Sequence, residues 1–89
     1  PLTDTQICTR PAASLVAYIR ARHGYTQLQC AYIAGIKERT WQTFESIDQR
    51  MPLPTWWLWL LRIGEITPSQ LPPIPPRQRF GAMVNLLPG

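Results

Sequence analysis

Residues 25–45 read YTQLQCAYIAGIKERTWQTFE, two short helical patterns divided by a glycine. Thr26 is placed to cap the first, because a threonine hydroxyl accepts from an orphan N–H of the first turn. Cys30, Ala31, Ile33 and Ala34 supply its buried side, and Gly35 offers the left-handed conformation that a sharp stop requires. Ile36 is the apolar residue of the turn. A further helix is predicted over 37–46, with Thr40, Trp41 and Phe44 inward and Lys37, Glu38, Arg39, Gln42 and Thr43 on the outer face. A small residue at the helix crossing (Ala31), a glycine stop and an apolar plug are the geometric requirements of a helix-turn-helix.

Upstream, Ala12, Leu15, Val16 and Ile19 recur at i, i+3, i+4 and i+7, which predicts a helix that stops near Gly24. Thr9 or Arg10 is the expected cap, with Pro11 in the first turn, where a missing N–H costs nothing. Arg20 and Arg22 lie off the apolar stripe, near the helix C-terminus, where a cation is favourable. Residues 1–8 show no clear period and read as an N-terminal arm that is loose unless tied down.

Downstream, residues 47–54 form an irregular link, and Thr55 is the expected cap of a helix over 56–63 that ends at Gly64. Three tryptophans, Trp56, Trp57 and Trp59, fall inside it. No helix of one small domain buries every side, so WWLWLL is expected to need cover from the tail or from a second subunit. Residues 65–89 carry six of the ten prolines and cannot be one long helix. Ile66, Leu71, Ile74 and Phe80 make this tail too apolar for a solvated linker, so it is expected to wrap the domain in extended form. The organisation is therefore an arm (1–8), a helical domain (9–64) and a proline-rich tail (65–89) for packing or dimerisation.

At 89 residues the chain fits a single domain whose small core is marginal unless every apolar face is used. Nine Lys and Arg against five Asp and Glu leave a net charge of +4, a balance that favours a polyanionic partner. Cys8 and Cys30 have no CxxC spacing and no histidine besides His23, which argues against a zinc site. They read as thiols, Cys30 buried, although a pairing is open. His23 stands beside Gly24, and no nucleophile or carboxylate pair lies at a spacing that suggests activation, so no catalytic residue, metal or cofactor is expected. His23 is expected to touch a helix C-terminus or a phosphate. The longest apolar run, residues 56–61, is too short for a bilayer, and the expected location is cytoplasmic.

The stretch 12–64 resembles the small Cro/C1-type (XRE-like) helix-turn-helix repressors of plasmids and phages. The motifs are TQ at Thr26 and Gln27, RTWQxxE over 39–45 and MPxxxWxLWLLxxG over 51–64, the last two looking like the plasmid Kor-type branch. Small phage regulators that sit beside anti-CRISPR genes have a similar layout. The resemblance implies an all-α, compact four- to five-helix, lambda-repressor-like domain, here with a proline-rich extended C-terminal tail. It also implies that the helix beginning at Lys37 enters the DNA major groove, with Glu38, Arg39, Gln42 and Thr43 meeting base edges.

The chemistry agrees, since Arg can bond guanine O6 and N7, Gln adenine N6 and N7, and Glu can accept from cytosine N4. Arg39 and Gln42 are the expected readers. Thr26 and Gln27 stand where the family holds a phosphate at a helix start, and Lys37 and Arg50 flank the recognition helix as backbone contacts. Lys37 departs from the usual Ser or Thr cap, Glu45 is expected to cap or pair within the fold, and Trp41 to be core. Trp57 and Ile63 replace polar residues of the resembling branch, which points to a homodimer contact built from Trp56, Trp57, Leu60, Ile63 and Phe80. The expected function is a homodimeric repressor on a palindromic operator in double-stranded DNA. The competing class is an interaction module on the same fold that presents its tryptophans, or the PPIPP run at 72–76, to a second protein such as a toxin or a polymerase.

Overall fold

The computed structural model describes residues 1–46 and 49–74, among which every regular element is helical. In chain order these are α1 (Asp4–Cys8), α2 (Ala13–His23), α3 (Gln27–Ala34), α4 (Glu38–Glu45) and α5 (Leu53–Ile63), followed by one 3₁₀ turn, Pro68–Gln70. Among the described residues no helix is long and apolar enough to cross a membrane. Phe80 and the end of the PPIPP run lie outside the described residues.

The stops follow from local chemistry. Gly35 closes α3 at φ +73°, and the Ile36 N–H reaches back to the Ala31 carbonyl at 2.9 Å, the long bond of a Schellman cap. Tyr25 to Arg20 at 3.2 Å and Glu65 to Leu60 at 2.9 Å repeat that bond after α2 and α5. The starts are less uniform. Thr26 caps α3 as expected, with Gln29 completing a reciprocal capping box. Helix α2, however, begins at Ala13 with no side-chain cap, and Pro11 is buried ahead of it rather than inside its first turn. Thr55 lies within α5, which starts at Leu53 behind Pro52.

Residues 1–8 are tied down. Thr3 and Gln6 form a capping box, so α1 exists, although five residues are too few to persist as an isolated helix. Long-range contacts hold it. Trp56 donates its indole N–H to the Gln6 carbonyl at 3.1 Å and Trp57 donates to Ile7 at 2.8 Å, satisfying two carbonyls that a helix end leaves orphaned. Ile7 is fully buried. Helix α1 therefore supplies cover for the tryptophan helix, the role assigned to the tail or a second subunit.

That arrangement corrects two further assignments. Trp56 and Leu60, expected at a subunit contact, are both 0% exposed within the single chain. Trp57 and Ile63 are half-buried and pack against the same core. Replacing Trp57 with phenylalanine removes the bond to the Ile7 carbonyl and is expected to cost about 1–2 kcal/mol. An unchanged urea midpoint would show that α1 is not held through this indole.

The core joins three large rings to three small residues. Trp41 meets Trp59 edge to face at 4.7 Å between ring centroids, and Trp56 lies 5.9 Å from Trp59. Cys30, Ala31 and Ala34 of α3 are buried with them, so α4 and α5 approach α3 closely. Small side chains on α3 thus share the core with the large Trp41 ring. Of the tail, Ile66 is buried and Leu71 packs on the core, whereas Ile74 is exposed. Glu65 receives both Arg22 and His23, the latter at 2.7 Å, and His23 stacks on Tyr25. His23 thus pairs with a carboxylate of the link after α5.

Both cysteines are free thiols, Cys8 exposed and Cys30 buried. Burial pushes the Cys30 thiol up to about 11. With an aromatic disulfide reagent near pH 8, Cys8 alone is expected to titrate in the native chain and Cys30 only after unfolding. Equal native rates for both thiols would contradict this burial.

Candidate nucleic-acid interface

Helix α4 is sharply two-sided. Trp41 and Phe44 point into the core, and Lys37, Glu38, Arg39 and Gln42 are exposed. Residues 38, 39 and 42 fall on one helical face, since positions three and four apart are neighbours. Thr43 is half-buried and donates its hydroxyl proton to the Arg39 carbonyl at 3.0 Å. That local bond engages its donor within the helix. Lys37 is the first flanking residue of α4 and makes no side-chain cap hydrogen bond.

One carboxylate ties α4 to its neighbours. Glu45, with its side chain 7% exposed, accepts from Arg20 Nε at 2.5 Å and Arg20 Nη2 at 3.0 Å. It also accepts from Trp41 Nε1 at 2.5 Å and Gln27 Nε2 at 3.2 Å. Burial pushes the Glu45 carboxyl up, but the Arg20 guanidinium, the Trp41 indole and the Gln27 amide together outweigh it and hold the group below its ordinary value. Arg20 adds a bond to the Tyr25 carbonyl at 3.1 Å, so α2, the start of α3 and the end of α4 converge on one ion pair.

The expected backbone contacts divide by surroundings. Thr26 is exposed at the start of α3, its oxygen accepting from the Gln29 N–H at 3.1 Å. Gln27 is half-buried and its amide is committed to Glu45, so its visible role is to tie α3 to α4. Arg50 donates to the Arg10 carbonyl at 3.0 Å, while Arg10 donates to the carbonyls of Arg50 at 2.6 Å and Met51 at 3.3 Å. This clamp closes residues 10 and 50 on each other. Arg50 also borders a cleft shared by the start of α2 and Ser46 at the end of α4, so Lys37 and Arg50 stand at opposite ends of α4.

Arg10 and Arg20 are the positioning residues that sequence reasoning missed. Their partners lie 41 and 25 residues away, beyond any local pattern. Among the described residues no group of three or more His, Cys, Asp or Glu is gathered where a metal ion would need it. No protein-family model, curated protein or solved structure matches this chain.

Proposed function

We propose that this chain is a sequence-specific DNA-binding repressor of the helix-turn-helix class, acting as a homodimer on a two-fold operator. In this reading α3, Gly35, Ile36 and α4 are the motif, and α4 enters the major groove. Arg39 and Gln42 read bases, Glu38 and Thr43 border them, and Lys37, Thr26 and Arg50 contact the backbone. The observation that carries the reading is α4 itself, a helix whose inner face is locked by Trp41, Phe44 and Glu45 while its outer face presents three long polar side chains. Base readout needs such a rigid support, because a side chain must hold bidentate geometry to discriminate.

The net charge of +4 supplies the sequence-independent attraction to phosphate. One helix set buries little DNA surface, so two half-sites about one helical turn apart are required for affinity and specificity. Footprinting on the DNA upstream of its own gene tests the reading directly. A salt-sensitive, two-fold symmetric protected site is expected, and the absence of any protected site there and in a selection from random duplexes would reject it.

A further inference from the structure

Resting on the repressor reading, we propose that each operator half-site carries a G·C pair and an A·T pair separated by one base pair, with the guanine and the thymine on the same strand. Four residues of α4 specify it. Glu38, Arg39 and Gln42 are exposed and make no side-chain hydrogen bond or ion pair among the described residues, so their polar groups are open to a ligand. Thr43 differs. It is half-buried and its hydroxyl proton goes to the Arg39 carbonyl, which leaves its methyl as the group that discriminates between bases.

Helical geometry sorts these residues into two rows and two levels. Neighbours in sequence are turned by about 100° around the axis, whereas residues four apart lie on the same face. Glu38 and Gln42 therefore form one row and Arg39 and Thr43 the other, on either side of a centre line that faces away from Trp41 and Phe44. A helix lying along the major groove turns each row toward one strand. Glu38 and Arg39 stand at one level, and Gln42 and Thr43 follow about 6 Å further along the axis. Two base-pair steps advance roughly 6.8 Å, so the two levels match base pairs with one pair between them.

The chemistry at each level names the pair. At the first, the Arg39 guanidinium donates to guanine O6 and N7 while the Glu38 carboxylate accepts from cytosine N4, and these are the two bases of one G·C pair. At the second, the Gln42 amide bonds adenine N6 and N7 while the Thr43 methyl packs on the thymine C5-methyl, the two bases of one A·T pair. Both levels thus ask for complementary bases from opposite strands. Had Arg and Gln stood at one level, they would have called for guanine opposite adenine, which no Watson–Crick pair supplies. Because the two purine readers lie in different rows, their guanine and adenine fall on opposite strands.

Selection from a pool of randomised duplexes by the full chain, followed by fluorescence anisotropy on the selected site, tests this composition. Inverted copies of GNT or of TNG, written 5′ to 3′, are expected, the choice being set by the polarity of α4 in the groove. Arg39→Ala is expected to relax the preference at the G·C pair alone and Gln42→Ala at the A·T pair alone. Uracil in place of the thymine removes only the C5-methyl and is expected to weaken the wild type on the order of tenfold over two half-sites. Thr43→Ser keeps the hydroxyl and is expected to bind the thymine and uracil sites alike. Specific two-fold sites that lack either pair, that place them adjacent or that put guanine and adenine on one strand would overturn the composition and leave the repressor reading standing. A Thr43→Ser variant as sensitive to uracil as the wild type would overturn it too, whereas a pool that yields no specific site would remove the repressor reading along with it.

Discussion

Glu45→Ala is expected to lower the unfolding free energy by about 2–3 kcal/mol, between the value of a surface pair and that of a fully buried one, because the Arg20 side chain keeps 24% of its surface in solvent. The loss exceeds that of an ordinary surface pair because three donors converge on this carboxylate. The Arg20 guanidinium, the Trp41 indole and the Gln27 amide would all be left without it, and the indole has a fully buried ring. Unfolding in urea measures the effect, and a change below about 1 kcal/mol would mean that the charge network contributes only as an exposed pair does.

The same group makes stability depend on acid. The Glu45 carboxyl is held below its ordinary value in the folded chain, so the unfolded chain takes up its proton first as the pH falls. Its contribution is fully present above the unfolded carboxyl range and is lost as the pH drops through the lower folded value. Melting temperature is therefore expected to fall on acidification below about pH 4.5, the upper edge of the ordinary carboxyl range, and to fall less steeply in Glu45→Gln. Parallel acid limbs for the two proteins would remove Glu45 from the explanation. Because this carboxylate joins the start of α3 to the end of α4, Glu45→Gln is also expected to weaken DNA binding without touching a base.

Arg39→Ala is the second large effect. A bidentate contact to guanine is worth about 1–3 kcal/mol of discrimination, and a two-fold site contains it twice. Operator affinity is therefore expected to drop on the order of 10²–10³-fold, with a much smaller drop on random duplex. Lys37→Ala makes the contrast, because a phosphate contact weakens all sequences alike and lowers the salt slope by about one per contact. Fluorescence anisotropy on operator and scrambled duplexes at several salt concentrations separates the two. If Arg39→Ala reduced both duplexes equally, Arg39 would be a backbone contact and the readout would lie elsewhere on α4.

Much of the architecture was legible because its signals are local. Gly24, Gly35 and Gly64 sit where helices must stop, and all three adopt positive φ. Trp41 and Phe44 on one side of α4, with Glu38, Arg39 and Gln42 on the other, follow from helical spacing alone. The missed helix α1 also left a local trace. Its Thr3 and Gln6 repeat the T-x-x-Q spacing of Thr26 and Gln29 and make the same reciprocal bonds. The spacing reappears at Thr67 and Gln70, where Gln70 Oε1 accepts from the Thr67 N–H but the Gln70 N–H goes to the Thr67 carbonyl. Five residues show no period, so the capping pattern was the available cue.

The sequence by itself determined the order and limits of the central helices, the inner and outer faces of α4 and the positive balance of charge. Each depends on residues within a turn or two of one another. The tertiary structure alone decided what covers the tryptophans, which guanidiniums clamp backbone and which carboxylate joins α2, α3 and α4. These outcomes join residues 6 and 7 to 56 and 57, 10 to 50, and 20 to 45. Chain closure over such distances is chosen by competition among all the faces that need burial and all the buried groups that need partners, and no local spacing encodes the winner.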